Sequence, residues 1–167
     1  MAIGLLAGVL ATPGSAYVIG GEPWPGPTIT YHTNAGHYAN AVDRAAEMWN
    51  SANVGITFQR ASADDAQVIV RYGGKPCRGW AIVGSASDSR MRLGRKCNTD
   101  HIALVAVHEF GHVLGLGHEL TRCARMNPNV DHKTPTPDHC PKHPQSYWLK
   151  HPLRGDDIRG ARALYSP

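Results

Sequence analysis

Three histidines and one glutamate fall in a single short run, His108-Glu109-Phe110-Gly111-His112-Val113-Leu114-Gly115-Leu116-Gly117-His118. On a helix, His108 and His112 are four residues apart, so they project from one face, one turn apart. Glu109 sits beside the first of them but points along another direction, free to act on a water activated by a metal. Gly115 can adopt φ > 0, end the helix and turn the chain, so that His118 comes round to the same point. Three neutral imidazoles with a fourth position open form the ligand set of a catalytic zinc site rather than a closed structural one.

A bare H-E-x-x-H also occurs on helices that hold no metal. Here a glycine and a third histidine stand at fixed offsets beyond it. The apolar run Ile102-Ala103-Leu104-Val105-Ala106-Val107 before it suits a buried helix. Together these favour the metal.

The full pattern, H-E-x-x-H-x-x-G-x-x-H, resembles the zinc signature of the metzincin metallopeptidases. The resemblance implies a methionine on a tight turn beneath the metal, and Met126 in Cys123-Ala124-Arg125-Met126-Asn127-Pro128 stands in that place. Residues 155–165 resemble the closing helix of the matrixin branch. The activity implied by the resemblance is that of a zinc-dependent endopeptidase acting on extended protein or peptide substrates. One Zn2+ would be held by His108, His112 and His118, with Glu109 as the general base that takes a proton from the water and passes it to the leaving amine. The implied fold is α+β, a metzincin-like mixed twisted sheet with two long helices. The zinc cleft would lie between that upper half and an irregular lower half ending in a C-terminal helix.

In metzincins an extended substrate adds alongside the edge strand nearest the zinc, because unpaired backbone groups bind any peptide main chain. That role carries over to Ala81, Ile82, Val83 and Gly84. The chain departs from the matrixin pattern after its methionine, where Met126-Asn127-Pro128-Asn129-Val130 keeps a proline and has no tyrosine. Tyr147 or Trp148 is the aromatic candidate for the missing pocket wall. No cysteine ahead of residue 28 is available to cap the metal, and no Asp-rich run reads as a calcium loop.

The elements that must position these groups are legible in outline. With 167 residues there is room for one domain with a sizeable core. Its 42% hydrophobic and 18% charged residues are those of an ordinary globular protein. The net charge of +4 is carried by scattered Lys and Arg with no run of five, which argues against a nucleic-acid partner. Residues 1–16 read as a secretion signal: a short apolar stretch, then Gly14-Ser15-Ala16 where a peptidase would cut, without the usual basic start. The catalytic domain would then be 17–167, secreted, with no membrane span and no feature that demands more than a monomer.

Four cysteines in a secreted chain imply two disulfides, with three pairings open. Cys77–Cys97 with Cys123–Cys140 is the simplest, each bridge closing one irregular stretch on either side of the histidine helix. A second, structural zinc site would need a C-x-x-C spacing that the chain lacks. Strands are expected at 28–32, 55–60, 66–72 and 79–85, and an amphipathic helix at 37–50. Residues 88–95 read as an exposed basic loop or hairpin. Asn98-Thr99-Asp100 caps the histidine helix, which runs to Leu114. From His118 to about residue 153 six prolines exclude a long helix. His132, His139, His143 and His151 in that stretch share no face and read as solvated loop residues. Asp156 and Asp157 read as stabilisers of the positive end of the last helix. The alternative to an enzyme is a non-catalytic, zinc-stabilised extracellular binding module, and the intact Glu109 argues against it.

Overall fold

The computed structural model describes residues 17–87, 89–131 and 133–166. The expected signal segment, 1–16, lies outside them. Five strands form one sheet: β1 (Thr28–Thr33), β2 (Thr57–Arg60), β3 (Val68–Tyr72), β4 (Gly79–Ala81) and β5 (Ser89–Leu93), in the order β2-β1-β3-β5-β4. The first three pairings are parallel, and β4 runs antiparallel to β5, so the sheet is mixed. The helices are α1 (Ala39–Asn50), α2 (Thr99–Val113), a short α3 (Gln145–Lys150) and α4 (Gly155–Tyr165).

The expected α+β architecture with two long helices is the one found, and both packing and polar contacts hold them together. α1 turns Ala41, Val42, Ala45, Ala46 and Trp49 inward, and Trp49 Nε1 donates to the Val107 carbonyl of α2 at 2.9 Å. Phe110 of α2 packs on Tyr31 and Phe58, with ring centroids 5.5 and 4.4 Å away. α2 is buried on nearly every side, which suits its apolar run at residues 102–107, and it buries His101, Glu109 and His112 as well. It starts where the cap was expected, with the Asn98 side chain accepting from the His101 amide at 2.8 Å.

Two expectations change. Of the stretch expected as an exposed loop or hairpin, Ser89–Leu93 is β5, antiparallel to β4 as a hairpin would have it but an interior strand between β3 and β4. Its Ser89, Met91 and Leu93 are buried while Arg90 and Arg92 face out, so one face of the pleat is charged and the composition resembles a loop. The strand expected at 79–85 ends at Ala81, beyond which the Ile82 amide still reaches the Arg90 carbonyl at 3.0 Å. β4 lies at the edge of the sheet. Between α2 and α4 the chain is irregular except for α3, which begins after Pro144. Proline cannot continue a helix but is tolerated at its start. The disulfides are Cys77–Cys97 and Cys123–Cys140, the simplest of the three pairings.

Candidate metal centre

His108 and His112 leave α2 one turn apart, and the helix ends at Leu114. Gly115, at φ +103°, turns the backbone where a side chain would be strained. The loop beyond is fixed by a strap formed by residues 18–21. Gly20 N donates to the Gly115 carbonyl at 2.8 Å, and Gly117 N donates to the Val18 carbonyl at 2.7 Å. His118 follows at once. The three Nε2 atoms converge, 3.1 Å (His108–His112), 3.1 Å (His112–His118) and 3.3 Å (His108–His118) apart.

The donor chemistry selects a cation at that point. The Nδ1–H of His108 donates to the Arg125 carbonyl and that of His112 to the Leu116 carbonyl, both at 2.8 Å. A neutral imidazole carries one N–H, so each of these rings aims the lone pair of Nε2 at its neighbours. Lone pairs this close repel unless an electrophile lies between them. Tetrahedral ligands at zinc distances of 2.0–2.1 Å are about 3.4 Å apart, close to the spacing found. Burial, then the neighbouring His112, holds the pKa of His108 down to about 3, and burial also lowers those of His112 and His118. The ligand form is therefore the stable one.

Glu109 is buried at 4% exposure, and its Oε2 has no hydrogen-bond partner. Burial alone lifts its pKa to about 8, the expected response of an isolated carboxyl that meets no cation. Beside three aligned imidazoles, burial holds this carboxyl in its protonated form at neutral pH, with no internal partner for its outer oxygen.

Met126 lies under the site, 2% exposed, against Gly111 of α2. A Cβ at 111 would fall 3.1 Å from the Met126 Cε and closer still to its sulfur. The turn that carries Met126 hangs on groups far away in sequence. Asp157 Oδ2 accepts from the Arg125 amide at 2.9 Å, and Oδ1 from the Met126 amide at 3.1 Å. The same carboxylate accepts from the Arg154 amide at 2.7 Å, so it caps α4 as well as anchoring the turn. The Asn127 side chain donates to the carbonyls of Glu119 and Arg122, both at 2.8 Å. The helix-end role read for Asp157 is thus only part of what it does, and the ties from Asp157 and Asn127 carried no local signal.

A cleft of about 510 Å³ opens over the histidines. One wall is β4 and its extension, where Gly79, Trp80, Ala81 and Val83 line it. Of the residues assigned to substrate, Ala81 and Val83 border the cleft. Gly84 is buried instead, its amide donating to the His112 carbonyl at 2.8 Å. The opposite wall is Pro128, Asn129, Val130 and Pro135. Neither aromatic candidate for that wall belongs to it: Trp148 is buried, donating to Thr136 Oγ1 at 2.9 Å, and Tyr147 stacks on His143. Arg125 sits at the base, 1% exposed, its Nε donating to the Pro152 carbonyl at 2.9 Å. Cys77, Cys97 and His101 also lie close together, but the two sulfurs are joined in a disulfide and offer no thiolate. His139 and His151 are exposed loop residues, and His132 lies outside the described residues.

Residues 20–130, more than half of the chain, match the model of the peptidase family described as Astacin. The chain belongs to the astacin family. It is therefore a metzincin-clan chain, as its zinc signature implied. Relatives of this astacin-family chain come from more than one branch. Human matrix metalloproteinase-20 is 28% identical over 88% of the chain, and mouse tolloid-like protein 1 is 30% identical over 62%. The chain spans only 33% and 10% of those two proteins' lengths. The solved structure of myroilysin shares the fold, with a TM-score of 0.50 and 22% identity over 60% of this chain and 46% of that one.

Proposed function

We propose that this protein is a zinc-dependent endopeptidase that hydrolyses peptide bonds of extended polypeptides, with His108, His112 and His118 as ligands of one zinc ion and Glu109 as general base. The observation that carries the reading is the convergence of three Nε2 atoms at 3.1–3.3 Å at the floor of an open cleft, with a buried carboxyl one residue from the first. Zinc at that point supplies Lewis-acid polarisation of the scissile carbonyl and activation of a water. Every other part is played by the chain. Carbonyls of Arg125 and Leu116 hold two of the imidazoles in the ligating tautomer. Glu109 accepts a proton from the water and returns it to the leaving amine. β4, an edge strand, offers its unpaired backbone to an extended substrate, and Ala81 and Val83 face that main chain.

A matrixin-like subtype is supported by a relative matched over most of the chain and by α4, whose Asp157 anchors the methionine turn. Two disulfides support work in an oxidising, extracellular setting, and among the described residues no helix is long and apolar enough to cross a membrane.

The test is casein cleavage by the purified, oxidised protein, with chelator, with zinc restored, and with Glu109→Ala. Chelator-sensitive cleavage that zinc restores and the variant lacks supports the proposal. One tightly bound zinc and no cleavage of any polypeptide overturns it in favour of a zinc-stabilised binding module.

A further inference from the structure

Away from the metal, the outward face of the sheet carries an unusual alignment. The register places Arg71 of β3 opposite Arg92 of β5, and Arg92 opposite Trp80 of β4. All three side chains are exposed, Trp80 at 56%, and Arg90 lies two residues along β5 on the same face. Exposed Lys75, Arg78, Arg95 and Lys96 flank them. Residues 71–96 hold seven of the chain's 17 Lys and Arg but one of its 13 acids, Asp88. Neither Arg71 nor Arg92 has an acidic partner among the described residues; the ion pairs Arg44–Asp100, Arg60–Asp43 and Arg159–Asp156 lie elsewhere.

Like charges directly opposite on neighbouring strands destabilise a sheet. An arginine row therefore works against folding, and a bound anion would offset it. Guanidinium groups are matched to carboxylates, which they grip through two parallel N–H donors. The row also runs into the cleft: Trp80 and Arg78 line its wall as well as belonging to this face.

We propose that this face, centred on Arg71 and Arg92, docks an Asp- and Glu-rich segment of the same polypeptide whose main chain lies in the cleft. Trp80 is the corner around which the segment passes from β4 to the face. The occupant is a peptide rather than another polyanion because the surface is continuous with a strand edge that pairs with main chain. The cleavage arm of the proposal rests on the peptidase reading; the binding arm does not.

The experiment uses a peptide cut by the protein, made with and without six glutamates appended at either end. An acidic run at one end should lower KM about fivefold at low salt with kcat unchanged, an effect expected for two exposed charge pairs. The gain should vanish in Arg71→Ala/Arg92→Ala, and at 1 M salt where screening is nearly complete. The same KM with and without glutamates at both ends, or a gain the double variant keeps, overturns the proposal. Independently, fluorescein-labelled hexaglutamate is titrated into Glu109→Ala protein and followed by anisotropy, with and without the arginine pair. Binding that needs the arginines supports the surface even if no peptide is ever cleaved, which separates its fate from that of the peptidase reading. Binding of heparin through these arginines without binding of hexaglutamate overturns the peptide as occupant.

Discussion

The α-carbon of Gly79 rests directly against the carboxyl group of Glu109. A Cβ built on Gly79 would lie 2.6 Å from the Glu109 Cδ, and its three nearest atoms all belong to that one side chain. Residue 79 has no positive φ, so an alanine there is strained by nothing in its own backbone. The edge strand and the carboxyl are thus fitted to each other by one missing methyl.

Gly79→Ala is therefore expected to displace Glu109, at a cost of about 1–3 kcal/mol for overpacking. Turnover should drop at least tenfold while zinc content stays at one per chain. In a Glu109→Ala background the same substitution should be nearly neutral in thermal melts. A full cost in that background would mean the glycine serves something other than Glu109.

The stability of the zinc-free protein should peak near pH 6.5. The folded pKa of Glu109, about 8, lies above its ordinary 4.5, so the folded chain binds the extra proton and loses stability as pH rises towards 8. His108, held at about 3 against an ordinary 6.5, acts oppositely: the unfolded chain takes the proton, and stability falls as pH drops below 6.5. His112 and His118 shift the same way as His108 and steepen the acid side. Urea midpoints measured across pH on chelated protein test this, and Glu109→Gln should flatten the decline between pH 6.5 and 8.

Asp157→Ala leaves the amides of Arg125, Met126 and Arg154 without their acceptor. Buried unpaired donors cost about 1–3 kcal/mol each, so a fall in Tm on the order of 10 °C is expected. Because the Arg125 carbonyl orients His108, zinc affinity should weaken about tenfold as well. Calorimetry and a zinc-chelator competition read the two effects separately.

Replacing both Cys77 and Cys97 by serine opens a span of 20 residues that holds β4, β5 and their connection. The loss should be about 3 kcal/mol by loop entropy. Its mark on activity should be a raised KM with zinc retained, since the bridge holds the cleft's edge strand rather than the ligands.

The convergence of the three histidines was legible because its geometry is local: two side chains four residues apart on a helix, then a glycine that can turn. The same holds for the Asn98 cap. What the sequence hid was long-range. Nothing near Gly79 announces Glu109, thirty positions on, and nothing near Met126 announces Asp157. β5 was hidden differently. Its Ser-Arg-Met-Arg-Leu alternates as a strand should, but a charged outer face gave it the composition of a loop. Tyr147 and Trp148 were chosen by residue type, whereas the need to bury Trp148 with its indole N–H satisfied took it away from the cleft.

Two of the three histidines ride on a rigid buried helix, and the third hangs on a loop latched to residues 18 and 20. The third histidine is consequently placed by a different part of the chain from the first two. If the latch opens, the helix keeps a two-pronged, weakly holding site, and the core is disturbed at Leu116, which the latched loop buries. On the proposed reading, affinity for the metal is open to tuning in the strap, far along the chain from the signature, with His108, His112 and His118 unaltered.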